Sequence, residues 1–533
     1  MAGVRKMRLS WFLVKPEIEA TDVEAIIERS DGSALQSFRV AALSKVRDSL
    51  FIKPSHPSPP RWLDFVKPHL EEGELPTILG SSSSGVLLVE SSGRVLAVSF
   101  GYGRHLVRSE AVVQDFGLKV VLNSIDPQLI KSVDARTFDE LTIHTRQGAS
   151  RDSSLEVFTL DNSRDLLRSV TGRSAPGGLG ALSGAAALAM NTALPLPQLP
   201  QLAADLITAY GSKTYETNFK FIDDMRGEQD PTVINRLDEL LVESLKAREM
   251  TDMHLAIPEA VDWQQIAGVR FSFKRRVQDE TPDPQISVYR DLRNDDKISL
   301  KRLKLDKVEA ISSLDEGEVF GHWRIYDCMV FETELDGRLY ILSGGNWYRV
   351  DKNFRDKVKT YVEGIEELDL QLPEADKSED EDAYNKAAAD ALGALCLDRK
   401  NVGVGGPDKV EICDILTADG RFIHVKKRGR SSTLSHLFAQ GVTSAELLVN
   451  DEDFRKAARD QVAGLDPDFL PAIPSDLGGR DKVRVSYVLL SRAKRRGDRP
   501  YGLPFFSMVS LKAAHEHLRN AGIGVTIKEI KEH

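Results

Sequence analysis

The 533-residue sequence has few cysteines, namely Cys328, Cys396 and Cys413. So few thiols, with no CxxC pair among them, exclude a disulfide framework and argue against zinc fingers and iron–sulfur clusters. Their scarcity favours a reducing compartment, so we expect a cytoplasmic protein. The N-terminal residues also show no clean signal-peptide cleavage pattern.

Long uninterrupted apolar runs are also missing. The stretch from Ser174 to Ala204 has no charged residue, but it contains Pro176, Pro195, Pro197 and Pro200. Prolines break the continuous helix that a bilayer requires. The sequence therefore predicts a Gly/Pro-rich loop around a short buried helix, Ala181 to Asn191, and no membrane as partner.

Charge is distributed unevenly along the chain. Hydrophobic residues make up 41% and charged residues 29% of a chain with net charge −10, which is typical of a globular protein. From Asn401 to His533 there are 21 Lys and Arg against 17 Asp and Glu, so this segment is +4 and the rest is −14. The run from Glu363 to Asp382 has ten acids and one lysine. Such a run is typical of a solvated linker.

The length predicts several domains. We expect an α/β (α+β mixed sheets), multidomain architecture. Its predicted parts are an N-terminal α/β domain (1–150), a mainly helical segment (151–250), a β-rich α/β domain (251–370), an acidic linker (371–382) and a C-terminal domain (383–533).

Several elements of the first 370 residues can be predicted from apolar periodicity. Strands from Gly85 to Val89 and from Arg94 to Phe100 flank a turn, and the apolar run from Leu118 to Asn123 predicts another strand. A helix is predicted from Pro231 to Met250, with leucines on one face. Trp347 and Tyr348 beside Arg349 could stack on a base, although a half-buried strand end is the commoner arrangement.

The C-terminal region predicts a helix, three strands, a helix and a fourth strand. The predicted ranges are Asp382 to Leu397, Asn401 to Val404, Lys409 to Leu416, Arg421 to Arg428, Thr433 to Leu448 and Lys482 to Leu490.

This order resembles the core of the PD-(D/E)xK nuclease superfamily, the restriction-endonuclease-like αβββαβ fold. The resemblance implies that Asp414 on the second strand is a metal ligand and that His424-Val425-Lys426 takes the place of the (D/E)xK motif. Side chains alternate along a strand, so His424 and Lys426 would share a face. A carboxylate-bound cation can activate water, and a lysine can stabilise charge on the phosphate.

The sequence departs from the superfamily pattern at His424, where an acid is expected. Histidine suits Mg²⁺ poorly but can bind Mn²⁺, so a divalent metal, Mg²⁺ or Mn²⁺, would be held by Asp414 with His424 as an atypical ligand. Glu411 and Glu381 are substitute carboxylates, although Glu411 has the wrong alternation relative to Asp414 unless the strand bulges. Either the site uses this ligand set, or catalysis is lost and the domain only binds.

Basic residues after the predicted strands suggest a nucleic-acid surface, with DNA preferred over RNA as partner. On the helix after Lys426, His436 and Gln440 lie one turn apart and could face phosphate, or they could simply pack. The predicted nucleic-acid-binding residues are Lys427, Arg428, Arg430, His436, Gln440, Lys494, Arg495 and Arg496.

Five blocks spread along the chain carry a second resemblance, which is FGYGRHL (Phe100 to Leu106), FGLKVVLN (Phe116 to Asn123), GGNWYRVD (Gly344 to Asp351), CDIL through FAQG (Cys413 to Gly441) and LPFFS (Leu503 to Ser507). They are similar to a sporadically distributed bacterial family catalogued as a domain of unknown function. That resemblance implies a role in defence against phage or other mobile DNA. The nuclease-like C-terminal core adds two hypotheses, a metal-dependent nuclease and a non-catalytic nucleic-acid-binding or sensing subunit. A homo-oligomer or a defence-system partner would fit either role.

Overall fold

The computed structural model describes most of the chain, namely residues 6–28, 35–43, 49–54, 83–137, 142–161, 165–247, 253–259, 261, 266–273, 276–277, 280–293, 297–312, 319–398, 400–403, 409–427, 434–476, 479–492 and 499–533. Within these ranges, no helix is long and apolar enough to cross a membrane.

The first of two units comprises Met1–Arg136, Thr145–Asp161 and Leu166–Ile222. Its helices are α1 (Val23–Ile26), α2 (Phe116–Ser124), α3 (Leu199–Gly211) and α4 (Glu216–Phe219). Its strands are β1 (Met7–Leu13), β2 (Gln36–Phe38), β3 (Leu50–Lys53), β4 (Ser84–Ser91), β5 (Arg94–Gly101), β6 (Ile130–Thr137), β7 (His144–Ser153), β8 (Asp165–Arg173), β9 (Ala181–Gly184) and β10 (Leu188–Thr192). The described strands form one ten-stranded sheet in the order β2-β3-β4-β5-β1-β10-β9-β8-β6-β7.

The central strands of this sheet are buried on both faces. Trp11 and Leu13 of β1 belong to one apolar cluster, whereas Phe12 belongs to another on the opposite face. This is the expected result of the two-residue alternation along a strand. Such strands therefore appear in the sequence as nearly continuous apolar runs.

The predicted hairpin is confirmed as β4 and β5, which pair antiparallel from Ser84↔Gly101 to Ser91↔Arg94. Ser92 and Gly93 form its turn with φ of 50° and 70°. Two successive positive φ angles match the right-handed twist of the flanking strands.

Two predictions in this unit were wrong. Leu118 to Asn123 is part of helix α2, because a short apolar run buried on nearly all sides has no period that separates helix from strand. Ala181 to Asn191 forms β9 and β10 instead of a helix, since β10 pairs with both β9 and β1. Pairing within the sheet overrides the helical propensity of alanine and leucine there.

The second unit comprises Thr137–His144, Asn162–Asp165 and Asp223–His533. Its first part contains β11 (Met225–Gly227), α5 (Pro231–Lys246), β12 (Met253–Leu255), β13 (Ile266–Phe273), β14 (Arg276–Val277), α6 (Ile286–Arg293), α7 (Leu300–Leu303), β15 (Lys307–Ser312), β16 (Val319–Arg324), α8 (Ile325–Cys328), β17 (Met329–Leu335), β18 (Arg338–Ser343), β19 (Asn346–Val350) and α9 (Lys352–Glu363). The strands form two sheets, β11-β19-β18-β17-β12 and β14-β13-β15-β16.

Helix α5 confirms the predicted helix from Pro231, although it ends at Lys246. Its Leu237, Leu241 and Leu245 are fully buried in the cluster that also contains residues of both sheets. The spacing of four residues places these leucines on one helix face, as the sequence predicts.

The C-terminal part of the second unit contains α10 (Glu381–Leu392), β20 (Leu395–Cys396), β21 (Asn401–Gly403), β22 (Lys409–Glu411), β23 (Ile415–Leu416), β24 (Arg421–Lys427), α11 (Leu434–Asn450), α12 (Glu452–Leu465), β25 (Arg484–Arg492), α13 (Phe505–Asn520) and β26 (Gly524–Glu532). The main sheet has the order β20-β23-β24-β25-β26. β20, β23 and β24 are antiparallel neighbours, whereas β24, β25 and β26 run parallel.

The predicted strands in this region differ from the observed ones in two ways. The predicted strand from Asn401 is β21, which pairs with β22 outside the main sheet. The predicted continuous strand from Lys409 to Leu416 is interrupted between β22 and β23. Ile412 and Cys413 are fully buried although they lie outside a strand, so their apolar character mimics strand continuity.

Helices cover both faces of the main sheet. On one face, Tyr384 and Ala388 of α10 join Ile423 and Val425 of β24 in an apolar cluster. On the other face, α11 packs on β24 and β25. There the ring of Phe438 meets that of Tyr487 edge-on at 5.2 Å.

The acidic run before α10 lies along β26. Leu368 N donates to Ile527 O at 3.0 Å, and His533 N donates to Ala375 O at 2.9 Å. Leu368 and Ala375 are both buried. This run therefore contributes packing to the C-terminal sheet, while the proposed domain boundaries and the linker stay predictions.

Candidate functional site

Three half-buried carboxylates meet at one edge of the C-terminal sheet. Ligand oxygens of Asp398, Glu411 and Asp414 all lie within 4.8 Å of one another. Asp398 follows β20, Glu411 ends β22, and Asp414 immediately precedes β23. We call these three residues the carboxylate cluster.

Irregular backbone on both sides of β20 and β23 brings the cluster together. Leu397 N donates to Asp414 O at 2.7 Å, which places Asp398 next to the start of β23. The break between β22 and β23 removes the alternation that would separate Glu411 from Asp414 on a regular strand. Glu411 can therefore lie beside Asp414 and replace the missing acid, which the sequence allows only if the strand is irregular at this point.

Burial and like charge raise the proton affinity of Asp414. Its Oδ2 accepts a hydrogen bond from Val425 N at 2.7 Å. Burial raises the pKa of Asp414 to about 7, the Val425 N–H opposes this rise, and the charges of Glu411, Asp398 and Glu381 add to it. A bound cation would relieve the same repulsion, because its charge favours the ionised carboxylates.

Glu381 holds the lysine that the nuclease resemblance singles out. Lys426 Nζ lies 2.9 Å from Glu381 Oε2, and Lys427 N donates to Glu381 Oε1 at 3.1 Å. Glu381 is in the first turn of α10, where the helix dipole favours a negative charge. Glu381 therefore ties the start of α10 to the end of β24 and fixes the position of the Lys426 amine.

His424 is not a member of the carboxylate cluster. It is 3% exposed, its Nε2 lies 3.4 Å from Ser444 Oγ on α11, and its ring packs 6.2 Å from that of Tyr487. Burial lowers the pKa of His424 to about 4, so the ring is neutral near pH 7. These contacts do not support the prediction that His424 is a metal ligand.

The side-chain amine of Lys427 is bound by a carboxylate and by backbone carbonyls of the second unit. Its Nζ lies 2.9 Å from Glu532 Oε1 and donates to the carbonyls of Lys377 at 3.0 Å and Glu379 at 2.6 Å. These contacts connect the acidic run to β24 and β26. Because its amine is bound by them, Lys427 is poorly placed to contact phosphate.

The other predicted nucleic-acid residues are only partly described. His436 is exposed and Gln440 half-buried, one turn apart on α11. Arg428, Arg430, Lys494, Arg495 and Arg496 lie outside the described residues.

Trp347 and Tyr348 do not offer a stacking surface. Both side chains are buried, and Trp347 Nε1 donates to Asp238 Oδ1 at 2.9 Å. Packing at the end of a strand is thus the better description of this aromatic–basic pair, and both rings are more deeply buried than the sequence indicates.

Sequence reasoning missed Asp398. The only available signal was an acid directly after an apolar segment, and the predicted helix to Leu397 obscured β20. Its role depends on contacts with residues 411 to 414, which no local pattern reports.

The fold and this site define a mixed α+β protein with several sheets and a carboxylate cluster at the edge of its C-terminal sheet. The model of a family of unknown function, DUF6119, matches residues 9–531, so the chain belongs to that family. This confirms the prediction, made from the five sequence blocks, that the chain belongs to a family of unknown function. Neither a search of curated proteins nor a search of solved structures gave a match.

Proposed function

We propose that the C-terminal part of the second unit is a divalent-metal-dependent nuclease that hydrolyses phosphodiester bonds, with DNA preferred over RNA. The observation that carries the proposal is the carboxylate cluster, whose ligand oxygens lie within 4.8 Å of one another. Carboxylate oxygens are the ligands that Mg²⁺ and Mn²⁺ prefer.

The arrangement of elements supports the restriction-endonuclease-like part of the proposal. A helix with Glu381 precedes three antiparallel strands, of which β23 follows Asp414 and β24 carries Lys426. Strand β25 then returns parallel to β24 after α11 and α12. This order agrees with what the resemblance implies for the strand acid and the lysine, and Glu381 is the substitute carboxylate on the preceding helix.

The proposed mechanism assigns separate roles to these side chains. Asp414, Glu411 and Asp398 would hold the cation, which supplies an activated water when bound. Lys426, positioned by Glu381, would stabilise negative charge that develops on the phosphate. His424 has only an indirect part, as packing behind β24.

The family resemblance extends this proposal to cytoplasmic defence against phage or other mobile DNA. The second candidate is a non-catalytic nucleic-acid-binding or sensing subunit. Two observations favour this second candidate. His424 stands where the superfamily has an acid, and Lys426 already forms an ion pair with Glu381.

Cleavage assays on the full-length protein test the proposal. Plasmid DNA, single-stranded DNA and RNA are incubated with Mn²⁺ or Mg²⁺, and EDTA should stop the reaction. Asp414→Asn and Lys426→Ala should each lower the cleavage rate by at least about a hundredfold, the scale of one lost electrostatic contribution in catalysis.

Glu363→Gln is the matched control, because this carboxylate is exposed at the end of α9. It should leave the rate unchanged. A wild-type protein that binds nucleic acid but cleaves none of the three substrates with either metal would establish the sensing subunit instead.

A further inference from the structure

A buried amide oxygen on α10 has no hydrogen-bond partner among the described residues. Asn385 is 1% exposed, and its Oδ1 makes no hydrogen bond to any of them. An unpaired buried acceptor lowers stability, so native proteins retain few of them without a functional reason. Asn385 therefore calls for a ligand.

Its neighbours on α10 indicate the direction in which Asn385 points. Glu381 lies one turn earlier on the same face and contacts the end of β24. Tyr384, on one flank, donates to Pro373 O at 3.1 Å, in the segment beside β26. Because α10 packs on β20, β23 and β24, the flank opposite Tyr384, which carries Asn385, is the one on the side of β20 and β23.

We propose that Asp398, Glu411, Asp414 and the Oδ1 of Asn385 form one all-oxygen site for a hard divalent cation, Mg²⁺ or Mn²⁺. This inference rests on the proposed function and deepens it by assigning the ligand set. The amide oxygen binds the cation directly or through one water.

The chemistry of the donors supports this cation class. Three carboxylates and an amide oxygen provide neither imidazole nitrogen nor thiolate, the donors that distinguish zinc sites. A neutral fourth donor also adds no repulsion to three acids within 4.8 Å of one another. Asp398 thereby supplies the carboxylate that β24 lacks at position 424.

Binding of Mn²⁺ to the full-length protein tests the assignment without any assay of activity. Free Mn²⁺ is measured by electron paramagnetic resonance during titration of EDTA-treated, dialysed protein. We expect one saturable site, lost in Asp414→Asn and weakened about tenfold or more in Asp398→Asn and Asn385→Leu.

The thermal midpoint of the metal-free protein separates a ligand from a structural residue. Asn385→Leu keeps the volume and removes the unpaired acceptor, so its midpoint should rise while its Mn²⁺ affinity falls. Asn385→Asp should retain Mn²⁺ binding and lower the metal-free midpoint through added repulsion. Asn353→Leu, at an exposed position on α9, should change neither quantity.

The outcomes separate this inference from the proposed function. Unchanged Mn²⁺ affinity in Asn385→Leu, or no Mn²⁺ binding by the wild type, overturns the assigned ligand set. Nuclease activity is judged independently by its sensitivity to EDTA. Mn²⁺ binding with the expected variant pattern but without cleavage of any nucleic acid retains the site and overturns the nuclease.

Discussion

A histidine can ligate a metal only if one ring nitrogen faces it. In His424, Nε2 lies 3.4 Å from Ser444 Oγ, on the side of the sheet that α11 covers. Burial lowers the pKa of His424 to about 4, against about 6.5 for an exposed histidine. The side chain therefore acts as a neutral packing residue whose protonation opposes folding.

This pKa predicts that His424 lowers the stability of the folded chain in mild acid. The unfolded chain binds a proton on His424 below about pH 6.5, whereas the folded chain resists until about pH 4. The contribution of His424 to the free energy of unfolding therefore falls by up to about 3 kcal/mol between about pH 6.5 and about pH 4. Because the raised pKa of Asp414 acts in the opposite direction over the same range, the test compares the wild type with His424→Gln. The urea midpoint of the wild type should fall relative to that of the variant between pH 7.5 and 4.5.

The exposed His436 on α11 provides the control. His436→Gln should show the same change of the urea midpoint with pH as the wild type. If the midpoints of His424→Gln and the wild type change in parallel, His424 makes no pH-dependent contribution.

At the scale of elements, α11 approaches β25 closely at one point. A Cβ on Gly441 would lie 2.5 Å from Tyr487 Oη and 2.7 Å from a ring carbon. Tyr487 is fully buried, and its hydroxyl donates to Phe438 O at 3.0 Å. The ring therefore has little room to move away from an added methyl group.

Gly441→Ala should destabilise the protein by about 1–3 kcal/mol, the usual cost of overpacking. The helical preference for alanine would otherwise make the same change favourable by about 0.5–1 kcal/mol. Gly464→Ala on α12 is the matched control, since nothing lies within 4 Å of its added Cβ. The control should raise the urea midpoint, and a rise in both variants would show that α11 and β25 are not tightly apposed.

Elements with a regular period could be predicted, and those without one could not. The leucines of α5 and the alternation of β24 placed both elements nearly at their observed bounds. The carboxylate cluster depends on breaks after β20 and between β22 and β23. Such breaks are fixed by packing across the sheet, so only Asp414 and Glu411 were found from the sequence and Asp398 was missed.

At the scale of the whole molecule, the chain carries −10 overall, yet residues 401–533 carry +4. Part of that positive charge is paired with carboxylates of the same unit. Lys427 binds Glu532 and the carbonyls of the acidic run, and Lys426 pairs with Glu381. Contact with a polyanion must therefore depend mainly on other basic residues.

The basic segment from Arg492 to Arg499 is the strongest remaining candidate in the sequence, with Lys494, Arg495 and Arg496 at its centre. Each lysine or arginine that contacts phosphate releases a counterion and adds nearly one unit to the slope of log K against log salt. Replacing these three residues with alanine should weaken DNA binding equally for all sequences and flatten that slope by about two to three units. Lys357→Ala, at an exposed position on α9, should leave the slope as it is. An unchanged slope in the triple variant would show that these side chains do not contact phosphate, and would direct attention to Arg428 and Arg430 after β24.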